Sequence, residues 1–396
     1  MSTPRPVSVV VAPDSFKGSL SAAQAAAAIA RGARAGLGTL RSAVEVVEVP
    51  MADGGEGTLD ALTAVWGTAP LEVEAVDALG RPRRARYGLS PDGRRAVVEA
   101  AEGNGLPHVS DVPLQPLRAD TYGVGLIARA LLDHPDARDL HEVILCVGGS
   151  ASTDGGVGML TALGARFLDS RGEPVAPGGQ GLAEVETLED AGLHPRARRV
   201  DWQLAVDVDN PVCGPRGAAA VFGPQKGASP DDVTTLDAGL RHLVDVLADR
   251  SDLGVDGLLA LPGLGAAGGL PLATTTLLGA TMRPGAELVA QTVGLGSALA
   301  GADVVLTGEG SLDEQSLGGK VVDAVRRLAP AGAAVVVLAG RVALSPAVCR
   351  DAGLTAAFSI APGAATLEDL VADAPRLLED AAAQACAALA HRLPGA

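Results

Sequence analysis

Short runs of aliphatic residues alternate along this chain with glycine-rich polar loops and alanine-rich segments. The first run, Val7–Val11, is β-branched and predicts a buried strand. A polar loop, Asp14–Gly18, follows it, and Ser19 or Ser21 is placed to cap an alanine-rich helix that runs to about Arg34. This order of strand, loop and helix is typical of an anion site in an open α/β sheet, although an ordinary βα turn has the same pattern.

The same pattern recurs near both ends of the chain, and successive βα units imply a parallel sheet. Near the amino end it predicts a strand over Val44–Val49 and a helix from about Thr58. Near the carboxyl end the predicted elements are strands at Val304–Thr307, Ala334–Leu338 and Thr355–Ile360, and a long amphipathic helix at Leu367–Leu393.

The middle of the chain has a different texture, with short strands joined by turns from about Pro70. The uncharged stretch Gly257–Met282 contains two prolines and several glycines, so we interpret it as a loop with a short helix and not as a membrane span. The other predicted elements are helices at Thr121–Leu132, from about Val157 and at Asp231–Asp249, and strands at Glu142–Val147 and Trp202–Val208.

These patterns together predict an α/β protein of two domains. A Rossmann-like, doubly wound parallel-sheet domain is formed by both chain ends, residues 1–70 and 300–396, and a second α/β domain, residues 71–299, is inserted into it. Ligands are then expected in the cleft where the strand ends of one domain face the other.

The composition argues against several classes of function. Aromatic residues make up only 2% of the 396 residues and the net charge is −16, which argues against nucleic-acid binding. The four cysteines form no CxxC pair and no signal peptide is evident, so free thiols in a reducing cytoplasm are expected. The six histidines lack metal-ligand spacing, which argues against zinc.

Lysine is rare in this chain. Only Lys17, Lys226 and Lys320 occur among 31 basic residues, and each lies beside a glycine. A compact ammonium group suits a phosphate site, whereas chance could place a lysine beside a glycine in so glycine-rich a chain. Lys226 is the weakest candidate, because its FGPQKG context also fits a structural turn.

The candidate binding residues lie in five glycine-rich loops, each after a predicted strand. None is a GxGxxG or Walker motif, so no standard nucleotide site is indicated. Asp207 and Asp209 carry oxygen ligands that suit Mg²⁺, although on spacing alone an Asx-type turn before Pro211 is the better explanation of these residues. The candidates are Asp14, Ser15 and Lys17; Asp53, Gly54 and Gly55; Ser150, Ser152, Thr153 and Asp154; Asp207 and Asp209; and Glu309, Asp313, Gln315 and Lys320.

Six ordered motifs resemble those of the bacterial-type glycerate kinases: APDSFKGSLSA, PMADGGEGT, GGSASTDGG, DVDNPVCGPRGA with VFGPQKGA, GAAGG, and TGEGSLDEQSLGGK. The resemblance covers nearly the whole chain. It implies ATP- and Mg²⁺-dependent phosphorylation of D-glycerate, usually at the 2-hydroxyl, in organic-acid and glyoxylate metabolism. Ser311, Asn104 and Val322 depart from the family pattern, which often has Arg, Ser and Pro there; Ser311 bears on how the substrate carboxylate is held.

Phosphoryl transfer depends mainly on positioning and on neutralising charge. We expect Lys17 and Lys320 to supply positive charge, and Asp207 to act as the base or a Mg²⁺ ligand, with Asp313 as the second candidate for the base. A kinase that forms 3-phosphoglycerate or uses a related sugar acid is an alternative.

Two other classes of function agree less well with the sequence. An NAD-dependent hydroxy-acid dehydrogenase would need a GxGxxG motif after a strand, and an exported binding protein for small acids would need a signal peptide. The expected partners are glycerate and ATP, with neither nucleic acid nor membrane, in a cytoplasmic monomer or homodimer.

Overall fold

The computed structural model of the protein describes residues 5–38, 40 and 43–393. The chain forms two compact units. The first unit contains the amino-terminal residues through Asp53, Asp60–Gly67 and the chain from Pro284 onward, and the second contains Gly54–Leu59 and Thr68–Arg283. The domain boundaries expected near residues 70 and 300 stay a prediction, and their outer limits, residues 1–4 and 394–396, lie outside the described residues.

Helices alternate with strands through most of the chain, which confirms the predicted α/β class with parallel sheets. The strands are β1 (Val7–Val11), β2 (Val44–Glu48), β3 (Leu71–Val76), β4 (Pro82–Leu89), β5 (Arg95–Glu99), β6 (Glu142–Cys146), β7 (Arg166–Leu168), β8 (Thr187–Glu189), β9 (Asp201–Ala205), β10 (Thr281–Arg283), β11 (Val304–Leu312), β12 (Ala334–Val342) and β13 (Ala356–Ser359). The α-helices are α1 (Ala22–Leu37), α2 (Thr58–Trp66), α3 (Ala100–Asn104), α4 (Tyr122–Asp133), α5 (Val157–Ala162), α6 (Ala218–Phe222), α7 (Pro230–Leu247), α8 (Gly254–Ala260), α9 (Leu270–Leu278), α10 (Gly285–Thr292), α11 (Leu295–Leu299), α12 (Val321–Leu328), α13 (Pro346–Asp351), α14 (Leu367–Ala372) and α15 (Ala374–Leu389).

The first unit is built on a parallel sheet with the strand order β13-β12-β11-β1-β2. Both ends of the chain therefore contribute to one sheet, as the sequence predicts. The valines of β1 are largely buried, which suits a strand covered on both faces. Ser21 caps α1 with a capping box to Gln24, so the second of the two predicted caps is the one used.

Helices α1 and α15 pack closely through small residues. A Cβ atom added to Gly32 would lie 2.1 Å from the Glu379 carbonyl oxygen, and one added to Gly36 would lie 2.2 Å from that of Ala383. These glycines let the two helix backbones approach, and the alanine-rich composition of both helices follows from the same need.

The second unit contains a mixed sheet with the order β10-β9-β6-β5-β4-β3. β3, β4 and β5 pair antiparallel, whereas β5, β6, β9 and β10 pair in parallel. The loops that follow β5, β6 and β9 thus leave neighbouring strands at the same edge of this sheet.

Four predicted elements were wrong in extent. β11 continues to Leu312, because it pairs with β12 at Gly308 and Glu309 and again at Ser311 and Leu312. β9 ends at Ala205 and not near Val208. The predicted loop with a short helix at Gly257–Met282 instead contains most of α8, all of α9 and part of β10. The predicted helix Leu367–Leu393 breaks at Asp373, before the proline in the first turn of α15.

Candidate functional site

Three carboxylates converge at the carboxyl edge of the first unit's sheet. Beyond β1 the chain continues alongside β11, where Asp14 N donates to the Gly308 carbonyl at 2.8 Å. On the other side, Met51 N donates to the Pro13 carbonyl at 2.9 Å, which places the segment leading to Asp53 beside Asp14. Glu309 follows Gly308 within β11. We call Asp14, Asp53 and Glu309 the acid cluster.

The acid cluster perturbs the proton affinity of its members. Burial raises the pKa of Asp14 to about 7, and the charges of Asp53 and Glu309 add to this, while the Ser15 N–H and the charge of Lys17 oppose it. Burial also raises the pKa of Glu309, against the lowering effects of Ser316 and Lys320. Oε1 of Glu309 is buried and has no hydrogen-bond partner among the described residues. An additional cation would therefore be favoured here.

The polar residues after β11 form a turn beside the acid cluster. Asp313 caps a short 3₁₀ turn over Glu314–Leu317, where its Oδ1 accepts from Gln315 N at 3.0 Å. Lys320 Nζ donates to Gln315 Oε1 at 3.3 Å. Lys17 lies on the exposed turn after β1, where Gly18 has a φ of +77°. The structure thus brings together the predicted residues of the first and last loops.

The loop after β6 is largely buried in the second unit. We call residues 148–154 the serine loop. Ser152, Thr153 and Asp154 are at most 1% exposed, whereas Ser150 is 7% exposed. Of these candidates, Ser150 is the best placed to meet a ligand, and the other three support the loop from inside.

Asp154 acts as a buried anchor for the start of α5. Its Oδ2 accepts from Thr121 N at 2.9 Å, from Thr121 Oγ1 at 2.7 Å and from Gly158 N at 3.1 Å, and its Oδ1 accepts from Gly156 N at 3.3 Å. Burial and the charge of Asp154 raise the pKa of the neighbouring Asp120 to about 7. These four hydrogen bonds give Asp154 a structural role in fixing the start of α5.

The two predicted magnesium ligands after β9 are exposed. Asp209 forms an ion pair with Arg216 at 3.0 Å, and both side chains are mostly in solvent. Asp207 is also exposed. No group of three or more His, Cys, Asp or Glu side chains within residues 5–38, 40 and 43–393 is arranged to hold a metal ion. The assignment of metal ligands to Asp207 and Asp209 stays a prediction.

Two supporting residues were not identified from the sequence. Glu99, at the end of β5, is buried and its Oε1 accepts from Gly57 N at 3.0 Å and Leu59 N at 2.8 Å, just after the predicted Gly54 and Gly55. Asn104 Nδ2 donates to Ser152 Oγ at 2.9 Å. An acidic residue at the end of a predicted strand is the signal in the sequence for Glu99, whereas the only signal for Asn104 is its departure from the family pattern.

Comparison with known proteins is decisive for the family. The model of the glycerate kinase family matches residues 9–390. The chain belongs to the glycerate kinase family. A glycerate kinase from Bacillus subtilis (strain 168) is 39% identical over 382 residues, covering 96% of this chain and 97% of the relative. A glycerate 2-kinase from Escherichia coli (strain K12) is 37% identical over 363 residues, covering 91% and 92%.

The fold agrees with this assignment. A crystal structure of a Salmonella typhimurium LT2 protein with the provisional name glycerate kinase 2 matches with a TM-score of 0.86 at 38% identity, covering 98% of this chain and 99% of that one. The resemblance inferred from the six motifs is confirmed, and the chain is an enzyme of this family. No helix in the described part of the chain has the length and hydropathy to cross a membrane.

Proposed function

We propose that this glycerate kinase transfers the γ-phosphoryl group of ATP to the 2-hydroxyl of D-glycerate, with Mg²⁺ as the metal, in the cytoplasm. The observation that carries the proposal is the acid cluster flanked by Lys17 and Lys320 at one sheet edge. The similarity to a relative named glycerate 2-kinase supports the 2-position. The substrate hydroxyl loses its proton, its oxygen takes the phosphoryl group, and ADP is released, so the atoms of the reaction balance.

No three carboxylates of the described residues are arranged to hold a metal ion together, so we propose that one or two carboxylates of the acid cluster hold Mg²⁺ in place of the predicted Asp207 and Asp209. Glu309 has a buried oxygen without a partner among the described residues and lies beside the charge of Asp53, whereas Asp209 is already paired with Arg216. Mg²⁺ needs only one or two carboxylates when phosphate oxygens and water complete its shell, and it would neutralise phosphate charge.

Asp14 is our candidate for the base. A general base works best when its pKa lies near the working pH, and burial beside two acids raises the pKa of Asp14 to about 7. Its carboxylate would accept the hydroxyl proton as the substrate oxygen attacks phosphorus. Asp313 is committed to capping its turn, and Asp207 is exposed, so both remain weaker candidates.

Lys17 and Lys320 are proposed to bind anionic oxygens of ATP or glycerate. Both lie on turns at the edge where the acid cluster lies, and their charges favour the ionised forms of Asp14 and Glu309, respectively. Positive charge fixed before the reaction stabilises a transition state in which negative charge spreads over the phosphoryl oxygens.

The test is ADP release by the purified protein with ATP, Mg²⁺ and millimolar D-glycerate. We expect release above the ATP-alone background, none after EDTA, and restoration by excess Mg²⁺. L-glycerate and other sugar acids serve as competing substrates. No ADP above background with D-glycerate would contradict the proposal, and preference for another acid would move it to a related substrate.

The base assignment has its own test. Asp14→Asn should lower kcat by at least about a hundredfold, the low end of general-base effects, and remove the rise in kcat as pH increases through about 7. Asp207→Asn is the matched variant. Normal turnover by Asp14→Asn with an inactive Asp207→Asn would return the base to the residue first predicted.

A further inference from the structure

Lys226 is a buried ammonium group in the second unit. It ends a 3₁₀ turn over Pro224–Lys226 and is 2% exposed. Its Nζ donates to Ser150 Oγ at 3.1 Å and to the Ser152 carbonyl at 2.5 Å. The side chain therefore reaches the serine loop from inside the protein and not from solvent.

The serine loop is held from its other side by the residues that end and follow α3. Ala151 N donates to the Asn104 carbonyl at 2.7 Å, and Leu106 N donates to the Gly149 carbonyl at 2.9 Å. Together with the bond from the Asn104 amide to Ser152, these contacts fix the loop backbone. Lys226 adds the contact to the Ser150 hydroxyl.

Burying the ammonium group of Lys226 at this position costs desolvation free energy. Burial lowers the pKa of Lys226 to about 8, and the charge of Asp154 opposes this change. Asp120 lies near Asp154, and burial together with the charge of Asp154 raises the pKa of Asp120. On α3, Glu102 forms an ion pair with Arg86 at 2.9 Å. An apolar side chain of similar length would avoid the desolvation cost, so packing alone does not explain the ammonium group.

We propose that Lys226 is a positioning residue that holds the Ser150 hydroxyl as a hydrogen-bond donor toward an oxyanion of the substrate, an inference that rests on the proposed function. An ammonium group can only donate, so Ser150 Oγ must accept from it and its own proton is left for another acceptor. Ser150 keeps some exposure, whereas Ser152 has none. The charged donor also polarises the Ser150 hydroxyl and strengthens the bond that it donates.

Loss of the Lys226 proton would reverse this arrangement. A neutral amine has a lone pair, so the Ser150 hydroxyl would donate to Lys226 and no longer to the substrate. We therefore expect the KM for the anionic substrate to rise as pH increases through about 8, with a smaller change in kcat. A lysine that only supported the fold would lower the amount of folded protein without this separation of KM from kcat.

The experiment is a double-mutant cycle on the full-length enzyme with D-glycerate, ATP and Mg²⁺. Lys226→Met and Ser150→Ala should each lower kcat/KM for D-glycerate by at least about tenfold, and the double variant should be within about threefold of the worse single variant. Ser170→Ala, at an exposed serine of the same unit, is the matched control and should change nothing alone or with Lys226→Met. Single effects that multiply to about a hundredfold in the double variant would overturn the proposal.

A second measurement covers the case in which Lys226→Met does not fold. The KM of the wild-type enzyme should rise above pH 8, and that of Ser150→Ala should not. A wild-type KM that stays flat to pH 9.5, or an equal rise in Ser150→Ala, would overturn the positioning role alone. A wild-type enzyme with no activity toward D-glycerate would instead overturn the proposed function, and this inference with it.

Discussion

Replacing Asp14 by asparagine should make the first unit more stable above neutral pH. Burial and two neighbouring acids raise the pKa of Asp14 from 3.8 to about 7 in the folded protein. The folded state thus binds this proton more tightly than the unfolded state does. The resulting stability is fully present below pH 4 and is lost as pH rises through 7.

The size of the effect follows from the shift. Three pKa units correspond to about 4 kcal/mol at ~1.4 kcal/mol per unit. Asp14 keeps part of its surface in solvent, which screens the neighbouring charges. We therefore expect the wild type to lose about 2 kcal/mol of its free energy of unfolding between pH 5 and pH 8. Asparagine has a similar shape and no charge, and it should not show this loss.

The assay is urea unfolding at pH 5 and pH 8, followed by tryptophan fluorescence. The chain has two tryptophans, one in each unit, so a Trp202→Phe background leaves Trp66 to report on the first unit. Glu45→Gln, which removes an exposed carboxylate on β2, is the control and should follow the wild type. An Asp14→Asn protein that loses as much free energy of unfolding between the two pH values as the wild type would refute the reasoning.

Three further predictions follow from the contacts described above. Lys17→Ala and Lys320→Ala should each lower kcat/KM by at least about tenfold, or ~1.4 kcal/mol, with unchanged circular dichroism; wild-type activity would make them ordinary surface residues. Asp154→Asn should lower the free energy of unfolding by about 3 kcal/mol in urea titrations, because an amide cannot accept all four hydrogen bonds of the carboxylate; a loss below about 1 kcal/mol would contradict the anchor role. Gly32→Ala should lower the free energy of unfolding by about 1–3 kcal/mol, because the new Cβ would lie 2.1 Å from the α15 backbone. Gly296→Ala, where the new Cβ would have no atom within 4 Å, should leave stability almost unchanged. Equal melting temperatures for the two variants would contradict this packing.

Local patterns were sufficient for much of the fold. The β-branched run of β1, the polar loop after it and the Ser21 cap are all properties of neighbouring residues, and each prediction was confirmed. The predicted end of β11 was wrong because glycines favour a turn by themselves, whereas pairing with β12 on both sides of Gly310 continues the strand. The position where a strand ends is therefore decided by a partner far away in the chain.

The candidate site shows the same limit. The sequence placed Asp14, Asp53 and Glu309 in three separate loops, and the parallel order of their strands brings them to one edge. It could not show that Lys226 is buried, because its glycine-rich context resembles that of the two less buried lysines. Nor could it show that Asp209 pairs with Arg216, which depends on the shape of the loop between them.

The most direct test of the central proposal is the position of the phosphate in the product. The purified enzyme is incubated with D-glycerate, ATP and Mg²⁺, and enolase is then added alone or with phosphoglycerate mutase. Phosphorylation at the 2-hydroxyl predicts that enolase alone consumes the product, and that the mutase adds nothing to the initial rate. Product that enolase consumes only after the mutase is added would be 3-phosphoglycerate and would contradict the proposed site of transfer.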